Sequence, residues 1–328
     1  MRLFIAAAAL VFSAANADEA HDIPAQFVAN RVFVVPQTTD GASIRFYSDT
    51  GGGTFIGEPA AKRLKLTTEN VGSDSADDKN APPQMLAAMP KFKKGSEIPL
   101  PDNEGKMRVM PADVVAKNHL ESDGMLGEAW FGGHVWTWNY PAGTLRLEGA
   151  GFHPDAKSTK VPLGFPVEDG QRANNFARIA IAVDGKSFDV LLDTGAMTEL
   201  TPEALKAVND KLPATRATSF IVDVIFKQWH TAHPDWRVIE QAEARTKQDM
   251  IEVPDVEIAG AHVGPVWFTH RPDKNFHEYM SGMMDKRVEG AIGGDAFQHF
   301  VMTIDYPNAV AYFRCAKDCK TTKPKSAP

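Results

Sequence analysis

The sequence has 328 residues, enough for two lobes with cores of their own, and a formal net charge of −7 from 35 Lys and Arg against 42 Asp and Glu. That balance argues against nucleic-acid and anionic-membrane partners, which need clustered cations. Lys91, Lys93 and Lys94 are the one tight basic group and read as a solvated loop. Past the N-terminus no stretch is apolar for long enough to span a bilayer.

In chain order, Met1-Arg2 leads into the apolar run Leu3 to Phe12 and then Ala15-Asn16-Ala17, an A-x-A cleavage pattern. Residues 1–17 are therefore predicted to be a secretory signal peptide, and the mature chain to be periplasmic or secreted. Val32 to Val35 and Ala42 to Phe46 are strand-like and joined through Asp40-Gly41, a hairpin signal. The second strand feeds Asp49-Thr50-Gly51, followed by Gly52-Gly53, a strand-like Thr54 to Ile56 and a helix pattern over Glu58 to Leu64. Thr67 to Pro83 is polar and predicts an exposed loop. Strand signals at Ile98 to Leu100 and Met107 to Met110 precede Gly124-Met125-Leu126-Gly127. A short helix near Ala129 to Phe131 and the strands Val135 to Trp138 and Leu145 to Leu147 follow.

Residues 151–170 are rich in Pro and Gly and read as a linker. The pattern then recurs. Ala177 to Val183, the turn Asp184-Gly185 and Phe188 to Leu192 lead into Asp193-Thr194-Gly195-Ala196. Thr201-Pro202-Glu203 opens a helix with an N-cap and a proline at the first position. Gly290-Ala291-Ile292-Gly293 precedes a short helix and the strands Phe300 to Ile304 and Ala309 to Phe313.

Two constant offsets support an internal duplication. Asp40 and Asp184, Asp49 and Asp193, Thr54 and Thr198, and Ala60 and Ala204 lie 144 apart. Gly124 and Gly290, Gly127 and Gly293, Phe131 and Phe297, and Tyr140 and Tyr306 lie 166 apart. The difference predicts an insertion in the second half, placed at Val222 to Met250. This divides the chain into lobes at 27–150 and 171–316, with a disordered tail at 317–328. Cys315 and Cys319 are expected to form a disulfide in an oxidising compartment, and two cysteines supply too few ligands for a metal site.

An apolar strand, Asp-Thr-Gly, and a later pair of apolar residues with Gly before a short helix resemble the lobe signature of the aspartic peptidases. Phe188-Asp189-Val190-Leu191-Leu192-Asp193-Thr194-Gly195-Ala196 looks like the retropepsin form, Ala291-Ile292-Gly293 is similar to that family's second motif, and the duplication resembles the single-chain pepsin arrangement. The resemblance implies a mainly β protein of two related β-barrel-like lobes with a cleft between them. Asp49 and Asp193 would be the catalytic pair, activating a water for hydrolysis of a peptide or protein substrate. Thr50, Gly51, Thr194, Gly195 and Ala196 would support the loops. No metal or organic cofactor is implied, and the protein is expected to be a monomer.

Departures lie in the first half. Ser48 replaces the apolar residue before the aspartate, and Gly52 stands where the second half has Ala196. Neither Gly52 nor Ala196 offers a hydroxyl to the carboxylates, which predicts a dyad less acid-shifted than in digestive members and active nearer neutral pH. The paired glycines predict a looser first loop. A flap is placed at Phe92 to Met110 by position alone. Trp229, His230, His233, Trp236 and Phe268 are read as local core ahead of a cleft lining, and the two histidines as no metal site. Two other readings remain: a homodimeric peptidase using Asp193 from each chain, and a non-catalytic bilobal module that binds extended polypeptide.

Overall fold

The computed structural model describes residues 19–72, 84–101, 104–117 and 121–321. The expected leader at 1–17 and most of the tail lie outside these residues, as do residues 73–83 of the polar loop. The protein is mainly β, built on three large sheets. An eight-stranded sheet comes entirely from the first half, running from Ala25–Val28 to Thr68–Asn70 at its edges. A ten-stranded sheet comes from the second half, with Val238–Ile239 and Lys320–Thr321 at its edges. The third, six-stranded, joins the halves through the antiparallel strands Val135–Asn139 and Phe300–Asp305. The expected barrel-like lobes are instead open sheets. Their strand orders are linear, none closes among the described residues, and their edge strands are too short to pair back across a barrel.

Burial follows the sequence pattern. In Arg178–Val183 the residues Ile179, Ile181 and Val183 are buried and their neighbours are not, the alternation of a strand with one face on the core. Lys186–Leu192 ends in three consecutive buried residues because its last turn is covered on both sides just before Asp193. In Val135–Asn139, Trp136 and Trp138 point into the core against Trp130 and Phe131, with ring centroids 4.5 and 5.4 Å apart.

The halves repeat one hydrogen-bonding scheme. Phe46–Ser48 runs parallel to Gly124–Leu126, which pairs antiparallel with Phe55–Gly57. Lys186–Leu192 runs parallel to Gly290–Ile292, which pairs antiparallel with Ser219–Val222. Thr137 faces Thr303, its own counterpart 166 residues on, with hydroxyl oxygens 2.8 Å apart. A residue facing its counterpart lies on the two-fold axis relating the halves.

This register moves the insertion. Gly127 donates its N–H to Thr54 Oγ1 at 3.0 Å, and Gly293 donates to Ser219 Oγ at 3.1 Å. Gly57 N bonds Asp123 O at 2.7 Å, and Val222 N bonds Glu289 O at 2.9 Å. The counterpart of Thr54 is therefore Ser219, not Thr198, and the helix Glu58–Arg63 corresponds to Asp223–Ala232, not to the helix holding Ala204. The extra residues lie between Gly195 and Ser219. They form the strand Met197–Glu199, the helix Pro202–Val208 and the strand Thr215–Ala217, with the two strands paired to each other. The sequence misled because two helices with a proline in the first turn follow the two Asp-Thr-Gly loops at the same distance. Local capping signals do not reveal which strand a helix follows.

Other segments differ from expectation. The 151–170 stretch contributes Thr159–Pro162 to the joining sheet and pairs Val167–Glu168 with Gln171–Arg172. Lys320–Thr321, assigned to the tail, pairs with Ala261–Val263. Within Phe92 to Met110, Lys106–Met110 is an internal strand of the eight-stranded sheet, parallel to Phe55–Gly57 and antiparallel to Met85–Ala88. Cys315 and Cys319 are joined by a disulfide. Trp229 is buried against Phe188, Trp236 and Phe268, a local core as read.

Candidate active site

Each Asp-Thr-Gly loop is held by the neighbouring second-motif strand and by the other loop. Asp49 N donates to Leu126 O, and Asp193 N donates to Ile292 O, both at 3.0 Å. The threonines then cross over. Thr50 Oγ1 donates to Leu192 O at 2.8 Å and accepts from Thr194 N at 3.0 Å. Thr194 Oγ1 donates to Ser48 O at 3.3 Å and accepts from Thr50 N at 3.2 Å. Both threonines are fully buried, so each hydroxyl uses its donor and an acceptor position on the opposite loop and leaves no orphaned group.

The glycines set the approach of the carboxyls. A Cβ on Gly51 would lie 2.6 Å from Asp193 Cγ, and one on Gly195 would lie 2.1 Å from Asp49 Cγ. Each aspartate thus packs on the backbone of the opposite loop, where only glycine fits. Gly51 N bonds Asp49 Oδ1 at 3.0 Å and Gly195 N bonds Asp193 Oδ1 at 2.8 Å. Each carboxyl also perturbs the titration of the other.

Burial and then the adjacent Asp193 charge push the Asp49 carboxyl well above the usual carboxylate range. Burial raises Asp193 too, but the bond from Asp49 and backbone N–H groups of Gly195, Ala196 and Gly51 oppose the rise. Two close carboxyls resist double ionisation, so the pair shares one proton and titrates as a unit.

The pair forms the floor of a cavity of about 360 Å³. The first half contributes Tyr47, Asp49 and Met125 to its lining; the rest comes from the second half, including Met197, Thr198 and Glu199 of the inserted segment. A second cavity of about 390 Å³ also reaches Asp193 and shares Phe220 and Arg271 with the first. It adds the apolar Leu191, Phe276 and Met280, with the exposed Tyr279 at its edge. The Arg271 guanidinium lies 4.2 Å over the Phe220 ring and is bonded twice to the buried Glu243, at 2.8 and 3.0 Å.

All the sequence-selected loop residues therefore meet at one place; Ala196 is buried beside them and its carbonyl accepts from Thr218 N at 3.0 Å. Cys315 and Cys319 lie elsewhere, at the end of the Val310–Cys315 strand. Gly52 is explained by contact: a Cβ there would lie 2.5 Å from Asp49 Oδ2 and 2.7 Å from Met125 Sδ. The loop is close-packed at Gly52, whereas a Cβ on Gly53 would meet nothing within 4 Å. Ser48 is completely buried, and its hydroxyl has no partner among the described residues.

Sequence reasoning passed over Tyr47. Its hydroxyl donates to Gly195 O at 3.0 Å, tying the first half to the second loop. Its counterpart is Leu191, and a polar aromatic in an otherwise apolar strand position was the available signal. Phe220, Glu243 and Arg271 were also missed, since only the tertiary fold gathers them. Among the described residues no group of three His, Cys, Asp or Glu side chains is arranged to hold a metal.

No family model and no curated protein matches the chain. Among solved structures it is similar to conglutin gamma, a basic 7S globulin from lupine seeds, with a TM-score of 0.49, 11% identity, and coverage of 91% of this chain and 95% of that one. Basic 7S globulin from soybean gives a TM-score of 0.49 at 10% identity, with the same coverage. At those values neither likeness defines a family for the chain.

Proposed function

We propose that the chain is an aspartic endopeptidase of two related lobes that hydrolyses peptide bonds between Asp49 and Asp193. The observation that carries this reading is that both aspartates line one cavity on loops locked together by the reciprocal threonine bonds. In the reaction, ionised Asp193 takes a proton from a water as its oxygen attacks the scissile carbonyl carbon. Protonated Asp49 donates its proton to the carbonyl oxygen, giving a tetrahedral diol. Collapse of the diol returns one hydroxyl proton to Asp49 and breaks the C–N bond, while Asp193 passes its proton to the leaving amine. Both groups end as they began, and no covalent intermediate forms.

Single-chain action is preferred to a homodimer because Asp49 packs directly on Gly195, the place a second Asp193 would take. The two cavities meeting at Asp193 give an extended peptide room on both sides of the dyad. The disulfide fits an exported protein. The test is hydrolysis of a mixed peptide library from pH 3 to 8 by the wild type, Asp49→Asn and Asp193→Asn. Cleavage abolished in both variants supports the reading. Cleavage that survives Asp49→Asn defeats the single-chain dyad, and peptide binding without cleavage selects the binding module.

A further inference from the structure

Behind the second loop lies a carboxyl the chemistry above does not use. Asp295 is buried, and its two oxygens are both engaged. Oδ1 accepts from Ser219 Oγ at 2.8 Å, and Oδ2 accepts from Trp267 N at 3.1 Å. Ser219 Oγ in turn accepts from Gly293 N, next to Ile292, whose carbonyl holds Asp193 N. The other arm also reaches the loop. Trp267 O accepts from Thr218 Oγ1 at 3.1 Å, and Thr218 N bonds Ala196 O.

The first half is an internal control. Thr54 occupies the Ser219 position and accepts from Gly127 N, but Ala129 stands where the second half has Asp295. The loop motif therefore forms without a carboxyl, and the one at Asp295 is an addition to it.

We propose that Asp295 is a positioning residue for Asp193, acting as a carboxylate that holds the second loop through Ser219 and Gly293. The inference rests on the reading of Asp49 and Asp193 as the catalytic pair. As a carboxylate, Asp295 accepts from both donors, so Ser219 directs its proton to Oδ1 and presents a lone pair to Gly293. Charge makes these bonds shorter and stronger than neutral ones. A proton on Oδ2 would oppose the Trp267 N–H, and one on Oδ1 would force the Ser219 hydroxyl to turn away. Either change loosens the support of the Asp193 loop.

The group is placed to titrate in the working range. It borders a cavity of about 290 Å³ that shares no lining residue with the dyad cavity. Asp210, Arg216, Arg237, Glu252 and His299 line the same space, and Tyr140 feels its charge from the joining sheet. Burial pushes the Asp295 carboxyl up to about 7, against the opposing bonds from Ser219 and Trp267. The dyad loop is then best held above that pH and released below it.

The experiment follows the Asp193 carboxyl carbon by NMR through a pH titration in the full chain, for the wild type, Asp295→Asn, Ser219→Ala and Ser219→Thr. The wild type is expected to show a second inflection near pH 7. Asp295→Asn and Ser219→Ala should lose it, and Ser219→Thr, which copies the first half's hydroxyl, should keep it. In parallel, kcat should fall by about 10-fold in the first two variants with KM nearly constant, the mark of a misplaced catalytic group. An Asp193 titration that is unchanged in Asp295→Asn overturns the proposal, even if the variant is less stable. Should Asp295→Asn not fold, Ser219→Ala gives the same decision. A wild type that cleaves nothing defeats the peptidase reading, while the titration still decides this one.

Discussion

The two Asp-Thr-Gly loops share a backbone scheme and differ in what surrounds them. In the first, the aspartate is preceded by Tyr47-Ser48 and followed by Gly52; in the second, Leu191-Leu192 precede and Ala196 follows. Gly52 is required because Asp49 and Met125 fill the space a side chain would need. Ala196 is tolerated, and the strand Met197–Glu199 inserted after it lines one side of the cavity. The difference teaches a division of labour. The first half supplies a compact loop and one carboxyl, and the second supplies the other carboxyl, its polar support and most of the cavity lining.

The strongest way to break this division is at the dyad. Asp49→Asn and Asp193→Asn should each lower kcat by roughly 10²–10⁴-fold, measured on any cleaved peptide, since each removes a proton-transfer partner. Unequal residual activity would show which acid matters more.

Next come the small residues. Gly52→Ala drives a methyl into the Asp49 carboxyl and should lower kcat about 100-fold by displacing it. Ala196→Gly, which copies the first loop into the second, should cost only about 1 kcal/mol of stability in a denaturant titration. Equal effects at the two sites would erase the asymmetry.

A third comparison uses pH. The raised Asp49 means the folded state binds more protons than the unfolded one above the ordinary carboxylate range, so stability falls as pH rises through the folded value. Asp49→Asn removes that loss. Its unfolding midpoint should exceed the wild type's at pH 8, and the gap should shrink towards pH 4. A constant gap across that range would mean that the Asp49 carboxyl is not raised in the folded state.

The smallest effect is at Ser48, whose buried hydroxyl lacks a described partner. Ser48→Ala should be neutral or stabilising by up to about 1 kcal/mol, because no hydrogen bond is lost. Destabilisation beyond that would point to a bond made by the hydroxyl in solution.

Much of this architecture was legible in the sequence, because the signals were either periodic or duplicated. The alternation in Arg178–Val183 and the paired motifs at Asp49, Asp193, Gly127 and Gly293 located the strands and the site. What the sequence could not yield was pairing. The helix after Thr201 shows its N-cap clearly, with Thr201 Oγ1 accepting from Ala204 N. Nothing local reveals that the strand before it pairs with Thr215–Ala217, outside the large sheet. Tyr47, Phe220, Arg271 and Asp295 were hidden for a related reason. Their roles arise from contacts across long sequence separations, and as single letters they read as ordinary core or surface residues.

The sheet that carries Thr137 against Thr303 has a consequence for how the molecule behaves on dilution. Were the halves separate chains, the dyad would exist only at concentrations high enough to keep them associated. Joining them in one polypeptide makes their meeting intramolecular, with an effective concentration on the order of millimolar for a short tether. The paired strands Val135–Asn139 and Phe300–Asp305 then keep the two aspartates together however far the protein is diluted.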